Sequence, residues 1–424
     1  MGVVVATVRV AANTATGTQN ITTSDLGGLT PKAALIIGSV AVTDATAAAH
    51  NVVSYGACSG ATNEWVTAVS DTDNVADSDN DTWFDDDFCV LFVNPGAQTV
   101  DGSAEFSAFI ADGVTINWTD APAGAYFLTV VFFAGTDLTA VAGSHTTSGV
   151  LDATEDITTL GTAADVVIGA GCVLLVDTDS NVTQYGMSLG LAHITGAGVV
   201  TQRSMVLAYN IAAAAAVDNA FYDDSYWLVR TNFNGTGTPR WALELSQHAS
   251  GFSITQRIEG FVKPVGYLAL DFGGVVNAWV GTVTTPTATG NDVETGPGFK
   301  PQAVIMNMNG TEADATLYTD LRAGIYGVSV ITATAQYSTS WASEDAAATM
   351  NTQSLSNDQA VDLPDHTGAA FMAATYVSFD STGFTLNYSA THTTAKLWPT
   401  LAIQEVSATA VKDIIQPGII PFAR

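Results

Sequence analysis

The side chains best able to do chemistry in this chain are carboxylates. Eight aspartates fall between Asp71 and Asp87, in the run DTDNVADSDNDTWFDDD. Hard divalent cations take oxygen ligands, and Asp77, Asp79 and Asp81 offer carboxylates at alternate positions, the spacing that opens a calcium-binding loop. The rest of such a loop does not follow. Its sixth position would be Thr82 instead of glycine, and its twelfth Phe88 instead of glutamate. Asp77, Asp79 and Asp81 are therefore candidates for a structural Ca²⁺ or Mg²⁺ site, against the plainer reading of a solvated acidic loop between strands. Nothing else in the chain calls for a cofactor.

Other reactive groups give less. GMSLG (186–190) matches the G-x-S-x-G nucleophile elbow, but that motif needs a strand–turn–helix context in a parallel sheet. The flanks of GMSLG read as sandwich strands, and the related stretches YGACSGA and YGVSVIT do not keep it. Six histidines are scattered, with none in a zinc-type pair. Cys58, Cys89 and Cys172 form no framework and read as buried, inert thiols. Seven Asn-x-Ser/Thr sequons occur in a chain rich in threonine, which makes chance matches common. No catalytic residue is assigned, and the expectation is a protein that is not an enzyme.

Charge narrows the partners. The 424 residues carry 41 Asp plus Glu against 12 Lys plus Arg, a net charge of −29. Such a surface repels phosphate, which argues against nucleic acid and anionic membranes as ligands. Two causes of the acidity stay open. One is a high-salt setting, where a Debye length of roughly 3 Å at 1 M salt cancels repulsion among carboxylates. The other is a particle surface kept soluble and non-sticky. The N-terminus lacks the features of a signal peptide, and no apolar run is long enough to span a membrane.

The elements that carry these residues repeat. DGVTINW (112–118), SGFSITQ (250–256) and TGFTLNY (382–388) share a small residue, a glycine and then alternating apolar positions. Gly113 and Gly251 are 138 residues apart, and Gly251 and Gly383 are 132 apart. A period near one third of the chain indicates internal repetition. Each repeat opens with an apolar strand and a second strand, LTPKAALIIG (29–38), LGTAADVVIG (160–169) or FKPQAVIMN (299–307). Pro31 and Pro301 match, with Thr162 in the middle copy. Each closes with another apolar strand, and only the alanine run 212–216 looks helical. The glycine before each alternating strand is expected to supply a positive-φ turn. Val114, Ile116, Trp118, Phe252, Ile254, Phe384, Leu386 and Tyr388 are expected in cores. The fold expected is all-β: three tandem antiparallel β-sandwiches, jelly-roll or immunoglobulin-like, from an internal triplication. The boundaries are 1–135, 136–274 and 275–410, with an apolar, proline-broken tail at 411–424 that docks on its own domain or a neighbouring subunit. A sandwich of about 135 residues buries roughly two-thirds of its unfolded surface, enough to fold alone.

Two phrases carry a family resemblance: GFKPQAVIM (298–306) with its relative LTPKAALII (29–37), and DGVTINWTDAPAGAYFL (112–128) with TGFTLNYSA (382–390). They resemble tandem sandwich virion proteins of tailed viruses, and the acid-rich, lysine-poor balance is similar to that of salt-loving archaea and their viruses. The second copy departs, with no proline and the ending SGFSITQRIEG. The resemblance implies a non-enzymatic virion structural protein, decorating the capsid or forming part of the tail tip, baseplate or fibre. It implies other virion proteins as partners, oligomerisation about a symmetry axis, and contact with a host-surface glycan or protein. A secreted or cell-surface adhesin and a jelly-roll carbohydrate-active enzyme are the alternatives. If the acidity is a salt adaptation, the chain loses circular dichroism signal and melts lower in dilute buffer than in molar salt. Identical melts in both would reject that adaptation.

Overall fold

The computed structural model describes residues 2–74, 80–97, 99–172, 184–210, 217–231, 239–318, 324–344 and 351–404. Within them the chain is all-β, with one short 3₁₀ turn at Ser24–Leu26 capped by the Thr23 hydroxyl. The first eleven strands are β1 (Val4–Ala11), β2 (Gly17–Thr22), β3 (Pro31–Ser39), β4 (Ala48–Ala49), β5 (Asn51–Gly60), β6 (Asn63–Asp71), β7 (Asn80–Asp85), β8 (Val90–Asn94), β9 (Thr99–Ile110), β10 (Gly113–Asp120) and β11 (Phe127–Ala134). Ten follow: β12 (Thr139–Thr146), β13 (Thr154–Ile157), β14 (Val166–Cys172), β15 (Gln184–Ile194), β16 (Val200–Asn210), β17 (Val217–Asp223), β18 (Leu228–Thr231), β19 (Pro239–His248), β20 (Gly251–Ile258) and β21 (Pro264–Asp271). The last ten are β22 (Ala278–Thr284), β23 (Gly290–Glu294), β24 (Pro301–Asn309), β25 (Tyr326–Thr332), β26 (Gln336–Ser343), β27 (Thr352–Asn357), β28 (Val361–Pro364), β29 (Ala370–Asp380), β30 (Gly383–Ala390) and β31 (Leu397–Gln404).

These strands pair antiparallel into six sheets. Three larger sheets run β1-β11-β3-β5-β6-β7, β12-β21-β14-β15-β16-β17 and β22-β31-β24-β25-β26-β27. Three smaller ones run β2-β10-β9-β8, β13-β20-β19-β18 and β23-β30-β29-β28. The third larger sheet gains a seventh strand, β4, which comes from the first third of the chain and pairs with β27.

Each smaller sheet faces a larger one across its own core. Ala34, Ile36 and Val130 meet Phe92, Ile116 and Trp118 in the first. Val167 and Ala269 meet Trp241 and Phe252 in the second, and Val304 and Met306 meet Phe384 and Leu386 in the third. The alternation expected of a half-covered strand is visible in β10, where Val114, Ile116 and Trp118 are buried and Thr115 and Asn117 are half-buried. The larger sheets differ. β14 is buried at every residue and β3 at all but Lys32, the signature of a sheet covered on both faces. Their second faces come together in one further core that holds Leu35 and Trp65 from the first sheet, Ile168 and Leu268 from the second, and Ile305 and Trp341 from the third.

Two sequence expectations are corrected. Gly113, Gly251 and Gly383 do not have positive φ, and at the first turn the left-handed residue is Asp112, φ 63°. The glycines are needed for close approach instead. A Cβ on Gly113 would sit 1.9 Å from the Ile21 carbonyl oxygen, one on Gly251 2.0 Å from that of Ile157, and one on Gly383 1.8 Å from that of Glu294. Thr162 also fails to open a strand as Pro31 and Pro301 do, lying in a bend ahead of β14. The alanine run 212–216 and the tail 411–424 lie outside the described residues. Gly113→Ala and Gly383→Ala should each destabilise the fold by about 1–3 kcal/mol in urea denaturation, because the neighbouring backbone must move. Gly196→Ala, where a Cβ meets nothing within 4 Å, is the control and should change little.

Candidate functional site

The residues singled out in the sequence separate in space. Asp77 and Asp79 lie outside the described residues. Asp81 is not a loop residue: it is buried on β7, opposite Ser70 of β6. Among the described residues no group of three or more His, Cys, Asp or Glu is placed to hold a metal ion. Ser188 of the G-x-S-x-G match is buried in the middle of β15, between antiparallel neighbours, and its Oγ accepts the Val229 N–H at 3.0 Å. A nucleophile elbow would expose that hydroxyl at a turn. All three cysteines are buried and unbridged. The histidines serve locally: His145 contacts Glu155 at 2.6 Å, and His50 Nδ1 accepts the Asp73 N–H at 3.0 Å.

What the fold does assemble is a set of three seams between the larger sheets. At the first, β12 lies against β5 and β6. The Trp65 indole N–H donates to the Tyr267 carbonyl at 2.7 Å, the Ala142 N–H to Ser59 Oγ at 2.8 Å and Ser144 Oγ to Asp86 at 2.5 Å. Lys32 Nζ crosses the same seam to the Leu138 carbonyl at 2.5 Å. At the second, β22 lies against β15 and β16. Thr282 Oγ1 accepts from Arg203 Nε at 3.1 Å and bonds the Tyr222 hydroxyl, while Asn309 Nδ2 donates to the Phe221 carbonyl at 3.1 Å. Tyr318 and Ala220 exchange backbone bonds there, extending the edge of β17. At the third, β1 meets β24 and β25. The Trp341 indole N–H donates to the Val52 carbonyl at 2.7 Å, and the Tyr326 hydroxyl to Asn51 Oδ1 at 2.9 Å. Arg9 is held over the rings of Phe127 and Tyr337 at 4.7 and 5.3 Å, pairs with Asp44 and donates to Ser356 Oγ. The first sheet meets the second, the second the third, and the third returns to the first.

Charge is unevenly matched along the seams. At the second, Asp223, Asp224 and Asp314 gather, with the Asp224 N–H donating to Asp314 Oδ1 at 3.0 Å. Burial pushes the Asp223 carboxyl up to about 6, and the nearby charges of Asp314 and Asp224 push the same way, against its bonds from the Ser225 and Tyr226 N–H groups. Beside the third seam is an open cleft of about 320 Å³ lined by Thr334, Gln336, Tyr337, Asp358 and Tyr376, with Ala333 and Ala335. Thr334 Oγ1 donates across the seam to Asp25 at 2.5 Å. Half-buried phenol rings beside an amide, a hydroxyl and a carboxylate are groups that can bind a neutral polyhydroxylated molecule.

Compared with protein families, curated proteins and solved structures, the chain matches none.

The Asp223 pKa lies above its ordinary value of 3.8, so the folded chain holds that proton more tightly than the unfolded one. Its stabilisation is fully present below about 4 and is lost as pH rises through about 6. Asp223→Asn keeps the acceptor oxygen and removes the charge. Relative to wild type, the variant should gain melting temperature between pH 4 and 6 and hold that gain at pH 8; parallel curves would show that Asp223 is not the titrating group.

Proposed function

We propose that the chain is a non-enzymatic structural component of a tailed-virus particle, built as three copies of one antiparallel β-sandwich closed into a ring about a pseudo-threefold axis. It would decorate the capsid or form part of the tail tip, baseplate or fibre, and aid attachment to the host surface.

The observation that carries this reading is the closed cycle of seams around one shared core. A head-to-tail contact that repeats makes either a ring or an open filament, and here the third contact returns to the first sheet. On this reading one chain supplies the closed cycle of contacts that a trimer would. Repetition has its own support. The three glycines approach the neighbouring strand's carbonyl in the same way. Ahead of β21, Lys263 N donates to Thr147 Oγ1 while Thr147 N donates to the Lys263 carbonyl. Ahead of β31, Lys396 and Thr285 make the same reciprocal pair. Such shared local bonding supports the reading of the chain as copies of one unit.

The cleft at Tyr337 and Tyr376 supports surface attachment. Single sites of this shallow kind bind weakly, and a particle gains avidity by presenting many at once. A cell-surface adhesin with the same cleft is the second reading. Quantitative peptide mass spectrometry on purified particles separates them. Copy numbers that scale with the major shell protein would place the chain on the capsid, and a few copies would place it in the tail. Absence from particles, with the peptides found on cell surfaces, would overturn the virion reading in favour of the adhesin.

A further inference from the structure

Lys32, Asp165 and Gln302 occupy the same place in the three larger sheets. Each immediately precedes the residue, Ala33, Val166 or Ala303, that pairs with Phe133, Leu270 or Ile403 of the neighbouring strand. At the first seam the Lys32 ammonium donates across to the carbonyl of Leu138, just ahead of β12. At the third the Gln302 amide donates at 3.1 Å to the carbonyl of Val3, just ahead of β1. At the second the equivalent residue is Asp165, and a carboxylate only accepts. An open cleft of about 290 Å³ lies there, lined in part by Asp165, His193, Ile194, Val276, Asn277 and Ala278. Val276 sits two residues ahead of β22, and among the described residues nothing donates to its carbonyl. Asp165 Oδ2 accepts the Phe272 N–H at 2.8 Å, and the Asp271 carboxyl lies beside it. Among the described residues no cation pairs with either carboxylate. Burial lowers the pKa of His193, so the imidazole is neutral at neutral pH and does not supply the charge.

We propose that this cleft binds a primary ammonium group on an alkyl stem, its head between the Asp165 carboxylate and the Val276 carbonyl and its stem along Ile194 and Ala278. The group would do for the second seam what the Lys32 side chain does for the first. Two acceptors that face one opening call for a donor, and the carboxylate calls for a positive one. The apolar part of the lining suits methylenes, which such a group lays on apolar surface while its charge stays hydrated. The volume agrees: it is close to the lower end of small-molecule pockets, roughly 300 Å³. A lone metal ion would leave most of that space to water.

The test uses n-butylammonium, followed by saturation-transfer NMR on the full chain and on Lys412→Ala. Saturable binding is expected, and failure of both chains to bind overturns the proposal. Binding about tenfold or more tighter in Lys412→Ala makes the chain's own Lys412 the source of the ammonium; any smaller difference makes it an amine from outside. Tetramethylammonium, which has no N–H to donate, should not bind at equal ionic strength. Asp165→Asn keeps an acceptor for the Phe272 N–H and removes the charge. Made in whichever chain binds, it should weaken binding by about tenfold or more. Equal binding of tetramethylammonium, or undiminished binding by a folded Asp165→Asn, would show general attraction to an acidic chain and overturn the site. If that variant does not fold, crystals soaked in n-butylammonium decide. An alkylammonium in the cleft, from the soak or from Lys412, supports the proposal, and water alone rejects it.

Discussion

The larger sheets are apolar on both faces, and most of the architecture follows from that. A sheet whose strands read as near-continuous hydrophobic runs needs a partner on each side. The smaller sheets cover one face each. No smaller sheet is left for the other, so the three bare faces cover one another around Leu35, Ile168 and Ile305. A flat pair of faces would satisfy two sheets and strand the third. Three turned toward a common line satisfy all, and the indole N–H groups of Trp65 and Trp341 then fix neighbouring sheets by donating to backbone carbonyls. Buried hydrogen bonds of that kind add direction to a contact that hydrophobic burial alone would leave free to slide.

The few cations fit the same picture. Arg9, Lys32 and Arg203 sit in the seams, and Lys263 and Lys396 are buried. At the outer surface Arg240 and Arg257 pair with carboxylates, which far outnumber the cations. Where carboxylates meet across a seam, as Asp223 and Asp314 do, burial and like charge raise their proton affinity together. Salt and acid therefore act on the same joint by different routes, one by screening and the other by neutralisation.

Sheet content was legible in the sequence because strand alternation is a local property, and the core positions Val114, Ile116, Trp118 and Phe384 were readable from it. The seams were not. In a strand buried on both faces, periodicity cannot say which face meets which partner, so Trp65 and Trp341 look like any core aromatic. Arg9 and Lys32 were available hints: each is the only charged residue of its strand in a cation-poor chain. Asp81 misled because a run of aspartates resembles a loop, whereas its place is decided by pairing with Ser70, a contact between strands that local composition does not record. The three glycines were found for the wrong reason. Turn chemistry can be read from neighbours in sequence, but the approach of Ile21, Ile157 and Glu294 can be seen only in space.

The short strand β4 also fixes an order of events. Its partner β27 belongs to the last third of the chain, and beside it the Val52 N–H donates to Ser354 Oγ across 302 residues of sequence. At a synthesis rate of about 5–20 residues per second, the first sheet waits roughly 15 to 60 seconds for the segment that closes the third seam. Until then the part of its apolar face that meets the third sheet has no partner. A nascent polypeptide in this state is at risk of sticking to its neighbours on the polysome, and a strong negative charge is the simplest means of holding such half-built molecules apart.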